Sequence, residues 1–334
     1  MTKPVIFGCE TTTLSAIERQ FFRDADPLGF ILFARNCETP TQIRRLVGEL
    51  RDSVGRADAP ILIDQEGGRV ARLKPPHFPA YPSAAEIAAL GGLRAREAAW
   101  LAARLIADDL GQLGITIDCA PVLDLPVAGA DPVIGDRAWG NEPRLVAENG
   151  LAVCDGLMAG GVLPIIKHIP GHGRATVDSH RALPVVETAR ATLDSTDFAA
   201  FRALSGMPWA MTAHVLYTAI DPDRPATLSP RVIADVIRAG IGFDGVLLCD
   251  DLSMAALGGR IETRAGDALQ AGCDLVLHCN GILDEMTTVA GAIGEISEAG
   301  SHRVAAAEAR RKAPGAFDRY AAERELAALL AKQQ

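Results

Sequence analysis

Eight short runs of apolar, β-prone residues recur along this chain of 334 residues. They fall at 5–8, 30–33, 61–64, 115–120, 163–168, 209–214, 246–250 and 275–278. Each is almost continuously hydrophobic rather than alternating. A strand of that kind has to be buried on both faces, which is the condition of a parallel sheet. Helical patterns lie between the runs. Residues 41–55 carry Ile43, Leu46 and Leu50 behind a Thr39-Pro40 start, and Ser83 opens an Ala-rich stretch that ends at Gly114. Further helices are expected at 143–160, 196–204, 230–240 and 262–272. Alternating strand and helix means βαβ units. Eight of them predict an α/β fold of the closed (β/α)8 TIM type, with an open doubly wound sheet as the alternative. No G-x-G-x-x-G follows the first run, so the dinucleotide-binding form of the open sheet lacks its fingerprint.

Residues 1–334 read as a single barrel domain. Two polar-faced helical stretches, 283–296 and 304–332, are expected to pack on its outside. No solenoid-length repeat or long polar linker divides the chain. Net charge is −9 and the basic residues are scattered, which argues against nucleic acid or an anionic membrane as a partner. No apolar run reaches the ~18 residues of a membrane span. The start of the chain has no apolar segment of signal-peptide type. Seven cysteines without a C-x-x-C pair suit a reducing compartment. The location expected from these features is cytoplasmic.

Polar residues gather where the strand runs end: Asp64, Asp124, Lys167, His168, His214, Asp250, Asp251 and Asn280. In (β/α)8 barrels that end carries the active site. The densest segment is Lys167-His168-Ile169-Pro170-Gly171-His172-Gly173, followed by Asp178-Ser179-His180. Pro and Gly force a loop there. Asp178, two residues from His180, can hold one ring nitrogen, fix the tautomer and make the other nitrogen more basic. That suits a general acid/base near neutral pH. Read alone, His180 is sooner a surface histidine on a mobile loop, and the glycines predict that 169–183 moves.

Along a strand, successive side chains face opposite ways, so at most one of Asp250 and Asp251 should aim at a shared centre. An ionised carboxylate there could attack an anomeric carbon or coordinate a cation, while Asp251 is expected to cap the following helix. Asp64 at a barrel mouth beside Gly67-Gly68 can accept hydrogen bonds from sugar hydroxyls, and Arg137 offers a guanidinium. Glu66, Arg69 and Asp136 read as well as an ion-pair network that holds loops. A metal-dependent hydrolase using His168, His172, Asp178 and Asp250 is a second reading, although the histidine spacing across a Pro-Gly turn is no known cage. A non-catalytic sugar-binding barrel keeping Asp64, Lys167 and Arg137 is a third.

Taken together, several motifs resemble glycoside hydrolase family 3, more narrowly its single-domain bacterial β-N-acetylglucosaminidases of the NagZ type. They are Ile63-Asp64-Gln65-Glu66-Gly67-Gly68-Arg69-Val70, Ala120-Pro121-Val122-Leu123-Asp124, Gly135-Asp136-Arg137, the Lys167–Gly173 segment with Asp178-Ser179-His180, Met211-Thr212-Ala213-His214, and Asp250-Asp251-Leu252-Ser253-Met254. The resemblance implies Asp250 as nucleophile, His180 as acid/base and Asp178 as its partner. It implies Asp64, Arg137, Lys167 and His168 as sugar-binding residues, with no metal and no organic cofactor. It further implies a retaining enzyme releasing terminal N-acetylglucosamine from anhydromuramoyl cell-wall fragments or chitooligosaccharides during peptidoglycan recycling. A small carbohydrate is then the partner, and a monomer is expected. Ile169 and Cys249 depart from the commoner phenylalanine and serine. Altered loop packing and altered reactivity toward thiol reagents are the consequences expected of them.

Overall fold

A computed structural model describes residues 2–331. Ten strands follow one another: β1 Lys3–Phe7, β2 Pro27–Leu32, β3 Ile61–Ile63, β4 Ile117–Asp118, β5 Leu163–Ile169, β6 Val185–Val186, β7 Trp209–Thr212, β8 Leu216–Tyr217, β9 Val246–Asp251 and β10 Leu275–His278. Eight close into a parallel barrel in the order β1-β2-β3-β4-β5-β7-β9-β10, while β6 and β8 form a separate two-stranded sheet. Closure is decided by β1, which pairs with β2 on one side and β10 on the other. The open-sheet alternative fails at that point. Every residue of β2 and β5 is buried, Lys167 and His168 at the end of β5 included.

All eight expected runs form barrel strands. The fourth is shortened to two residues. Pro121 has no N–H for a ladder, and pairing resumes only at a single bridge between Val122 and Lys167. The helices differ more from expectation. Ser83 caps helix Ala84–Ala88 with Glu86 in a capping box, but the long helix Gly92–Leu113 is separate from it. Gly91 and Gly92 at positive φ break the stretch that the alanines suggested was continuous. The expected segment at 304–332 is divided too. Helices Glu298–Glu308 and Arg319–Ala331 flank a connection containing Pro314 and Gly315, and Lys332 lies outside the described residues. Helix Ala16–Ala25 is an addition; its signal was the Ser15/Glu18 capping box.

The C-terminal helix packs on helix Gly92–Leu113, where Arg319 pairs with Asp108 at 3.0 Å and Asp109 at 2.6 Å. Among the described residues, no helix is long and apolar enough to cross a membrane.

Candidate active site

A cleft of about 380 Å³ opens at the C-terminal ends of the barrel strands. That size lies within the range of small-molecule sites, roughly 300–1,000 Å³. Asp64, Arg137, Lys167, His168, Asp178, His180 and Asp250 all line it. The seven residues assigned to the site from the sequence therefore reach one space, from the ends of four barrel strands, β3, β4, β5 and β9.

One wall is a lattice of charges. Lys167, 2 % exposed, places its ammonium 2.8 Å from Asp64 Oδ1 and 2.7 Å from Glu66 Oε1. Arg72 binds the other Asp64 oxygen at 3.0 Å, and Arg137 grips Glu66 through two hydrogen bonds. Removal from water would raise the pKa of both carboxyls. The cations overcome that: Lys167 and Arg72 hold Asp64 well below the usual carboxylate range, and Arg137 with Lys167 do the same for Glu66. Burial alone would weaken the Lys167 charge; Asp64 and Glu66 raise its pKa instead. The turn after Glu66 has to be Gly-Gly. Both residues sit at positive φ, and a Cβ on Gly68 would come within 2.7 Å of the Ser83 Cβ. Arg69 pairs with Asp136 at 2.6 Å, so the ion-pair reading of these two holds, and it extends to Glu66 as well.

Lys167 and His168 are consecutive, joined by a cis peptide bond, and both line the cleft. Behind them Asp124 is fully buried. Its Oδ2 lies 2.7 Å from His168 Nδ1, and its Oδ1 accepts the backbone N–H groups of His168 and His172 at 3.3 and 2.6 Å. Burial would raise the Asp124 pKa, but His168 and His172 lower it on balance. An ionised acceptor fixes the tautomer: His168 Nδ1 donates, and Nε2 is left for the cleft.

The same segment roots the following loop. Tyr217 donates its hydroxyl to Gly171 O, and Arg174 binds Asp197 at 2.6 Å. Gly173 lies against the Leu125 backbone, where no Cβ fits. His172 Nε2 meets Ser179 Oγ at 3.0 Å, and Ala256 N–H donates to Ser179 O. The root is thus fixed, while Thr176, Val177, His180 and Arg181 stand exposed at the tip.

His180 is 67 % exposed at the cleft edge. Asp178 Oδ1 lies 2.8 Å from its Nδ1 and accepts its backbone N–H at 2.9 Å. Partial burial works against ionisation of Asp178, but these hydrogen bonds lower its pKa. Nδ1 therefore donates to Asp178, and Nε2 faces outward. Opposite, burial would raise the Asp250 pKa, yet His168, His214 and the Asp251 N–H hold it below the ordinary value.

Asp251 corrects one expectation. It borders the cleft alongside Asp250, after a register shift between β9 and β10, but it caps no helix. Its oxygens accept from Ser253 N–H and Oγ and from Cys279 N–H, closing a turn well before helix Ile261–Ala271. The thiol at the cleft is Cys279, whereas Cys249 is fully buried and accepts the Leu277 N–H at 3.2 Å. The reactivity expected at Cys249 is therefore misplaced.

Besides the buried Asp124, two strand-end residues stay outside the cleft lining. His214 is bound on both ring nitrogens, by Thr227 Oγ1 and Asp251 O, and Asn280 turns to Glu285. The four residues of the metal reading form no group able to hold an ion among the described residues. Sequence reasoning weighed Glu66 as a loop-holding ion pair without naming its partners and gave Asp124 no task. The motif order offered a hint for each, but nothing local shows which cation a carboxylate will meet.

Comparison with known proteins supports the same conclusion. Residues 14–310 match the glycosyl hydrolase family 3 N terminal domain. The chain is 39 % identical over 284 residues to a beta-hexosaminidase of Alkalilimnicola ehrlichii, covering 83 % of this chain and 80 % of that one. It is 38 % identical over 292 residues to a beta-hexosaminidase of Neisseria meningitidis serogroup B, covering 85 % and 80 %. NagZ from Neisseria gonorrhoeae, solved in complex with N-trifluoroacetyl-D-glucosamine, superposes with a TM-score of 0.88 at 32 % identity over 98 % of both chains. A family 3 beta-N-acetylglucosaminidase from Paenibacillus gives 0.84 at 34 % identity; the match covers 94 % of this chain but 62 % of that longer one. The chain belongs to glycosyl hydrolase family 3 and is a glycoside hydrolase.

Proposed function

We propose that this protein is a retaining exo-β-N-acetylglucosaminidase that works through a covalent glycosyl-aspartate. The observation that carries the reading is one cleft holding an ionised Asp250 and the His180–Asp178 pair, beside the charged wall of Asp64, Lys167 and Arg137. Charged donors and acceptors of that kind hold sugar hydroxyls, and His168 presents Nε2 beside them. The names of the related beta-hexosaminidases support an N-acetylhexosamine in this place.

In the first step an Asp250 oxygen bonds to the anomeric carbon as the glycosidic bond breaks, and His180 Nε2–H protonates the leaving oxygen. In the second, neutral His180 takes a proton from water, whose oxygen displaces Asp250. Asp178 stabilises the imidazolium that the cycle requires. Exposure of His180 suits both tasks, since the leaving group departs and water enters at that edge.

The substrates we infer are terminal, non-reducing β-linked N-acetylglucosamine residues of anhydromuramoyl fragments or chitooligosaccharides. Action in cytoplasmic cell-wall recycling, as a monomer, belongs to the same reading. The test is hydrolysis of 4-nitrophenyl β-N-acetylglucosaminide by wild type, Asp250→Ala and His180→Ala, each with and without chelator. Activity that survives chelator and collapses in Asp250→Ala is expected. Loss to chelator alone would favour the metal-dependent reading, and sugar binding without turnover the non-catalytic one.

A further inference from the structure

Asp118 ends β4 and is 1 % exposed. Its Oδ1 accepts the Gln65 N–H at 2.9 Å. That N–H belongs to the peptide joining Asp64 to Gln65, so this one bond fixes the backbone between the two carboxylates of the charged wall. Gln65 is clamped further along: its Oε1 accepts the Arg72 and Leu73 N–H groups at 2.8 and 3.0 Å. The second Asp118 oxygen, Oδ2, has no hydrogen-bond partner.

Behind Glu66 and Arg137 lies a narrow cavity of about 30 Å³, lined by Asp118 and by apolar side chains such as Ala102 and Ile106. A water molecule needs roughly 10–15 Å³ of such space and two to four polar partners. Asp118, Gln65, Glu66 and Arg137 all line this space and can supply them.

We propose that Asp118 is a positioning residue for substrate binding: Oδ1 holds the Asp64–Gln65 peptide, and Oδ2, through one water in this cavity, holds the Glu66 carboxylate that carries Arg137 and Lys167. The role rests on the reading of Asp64, Lys167 and Arg137 as sugar-binding residues. Burial without a cation partner says in which form Asp118 acts. Lys167, Arg72 and Arg137 contact Asp64 and Glu66, and among the described residues no ion pair reaches Asp118. Burial, with Asp64 and Glu66 nearby, pushes its pKa well above the ordinary value, although the Gln65 N–H and Lys167 pull the other way. Asp118 is a neutral acid that accepts through Oδ1 and donates Oδ2–H to the water.

Asparagine reproduces that pattern without a charge, and leucine fills the space without either hydrogen bond. KM and kcat for 4-nitrophenyl β-N-acetylglucosaminide are measured for wild type, D118N and D118L, with melting temperature as the folding control. We expect D118L to raise KM about tenfold or more, with kcat falling less, as loss of a buried polar partner implies. D118N is expected to restore KM to within about threefold of wild type, within the error of an isosteric exchange. An unchanged KM in D118L would overturn the positioning role. A D118N as impaired as D118L would overturn the neutral-acid role, because it would show that the charge is needed. If D118L does not fold, a crystal structure of the wild type resolving ordered water decides: a water bridging Oδ2 and Glu66 supports the proposal, and a dry cavity overturns it. An inactive wild type would defeat the glycosidase reading instead, and the bridging water would still be open to that crystallographic test.

Discussion

Arg137 and Glu66 meet through two nearly parallel hydrogen bonds, Nη2 to Oε1 at 2.8 Å and Nε to Oε2 at 2.9 Å, with side chains only 12 % and 8 % exposed. Lys167 shares the first of those oxygens. Two cations thus depend on one carboxylate. Glu66→Gln is expected to destabilise the fold by about 3–5 kcal/mol, because it leaves buried positive charge without compensation. It should also raise KM, since Arg137 and Lys167 lose their fixed positions. Urea unfolding and steady-state kinetics check both; a loss under about 1 kcal/mol would mean that water enters and replaces the pair.

Asp250→Ala should lower kcat by at least about a thousandfold, as expected for a nucleophile without a substitute. A slow 2-fluoro sugar should leave a stable adduct on the peptide containing Asp250, read by mass spectrometry. If the substrate's own acetamido oxygen attacks instead, the peptide stays unlabelled and the variant keeps more activity.

The acid role of His180 is separable from the nucleophile by leaving group. His180→Ala should lose about 10²- to 10⁴-fold on a sugar leaving group that needs a proton. Loss on an activated nitrophenyl substrate should be much smaller for the first step. Asp178→Asn should show the same pattern at reduced amplitude. Equal losses on both substrates would indicate that His180 binds rather than protonates.

Burial pushes the His172 pKa down to about 4 from 6.5, despite the opposing charge of Asp124. The unfolded chain therefore takes up a proton on this ring more readily than the folded one. Its contribution to stability is present above pH ~6.5 and is lost as pH falls toward ~4, at most about 3 kcal/mol. His172→Gln should flatten the pH dependence of unfolding free energy across that window. An unaltered slope would show that His172 stays neutral in neither state preferentially.

The loop should order unevenly when a sugar analogue binds. Its root, held by Asp124, Asp197 and Tyr217, should exchange slowly with or without ligand, and the tip at 176–182 should gain protection. Identical exchange at the tip in both conditions would argue against closure over the substrate.

The eight buried strands and the residues at their ends were readable from the chain alone. A short, β-prone, continuously apolar run between turn signals reads as a strand covered on both sides, and polar groups at its end mark where it surfaces. His180 with Asp178 was readable for a similar reason, because two residues in one loop meet whatever the rest of the chain does. The helix breaks at Gly91-Gly92 and Pro314-Gly315 were visible as letters, but the flanking alanines and charges continue the helical pattern across them. The partners of Glu66, Asp124 and Asp118 were hidden altogether. Lys167 lies 101 positions from Glu66, and His168 lies 44 from Asp124. Only closure of the barrel, through β1 pairing with both β2 and β10, sets which strand ends share the mouth. Charge pairing across that mouth follows from three-dimensional neighbourhood, and no local periodicity records it.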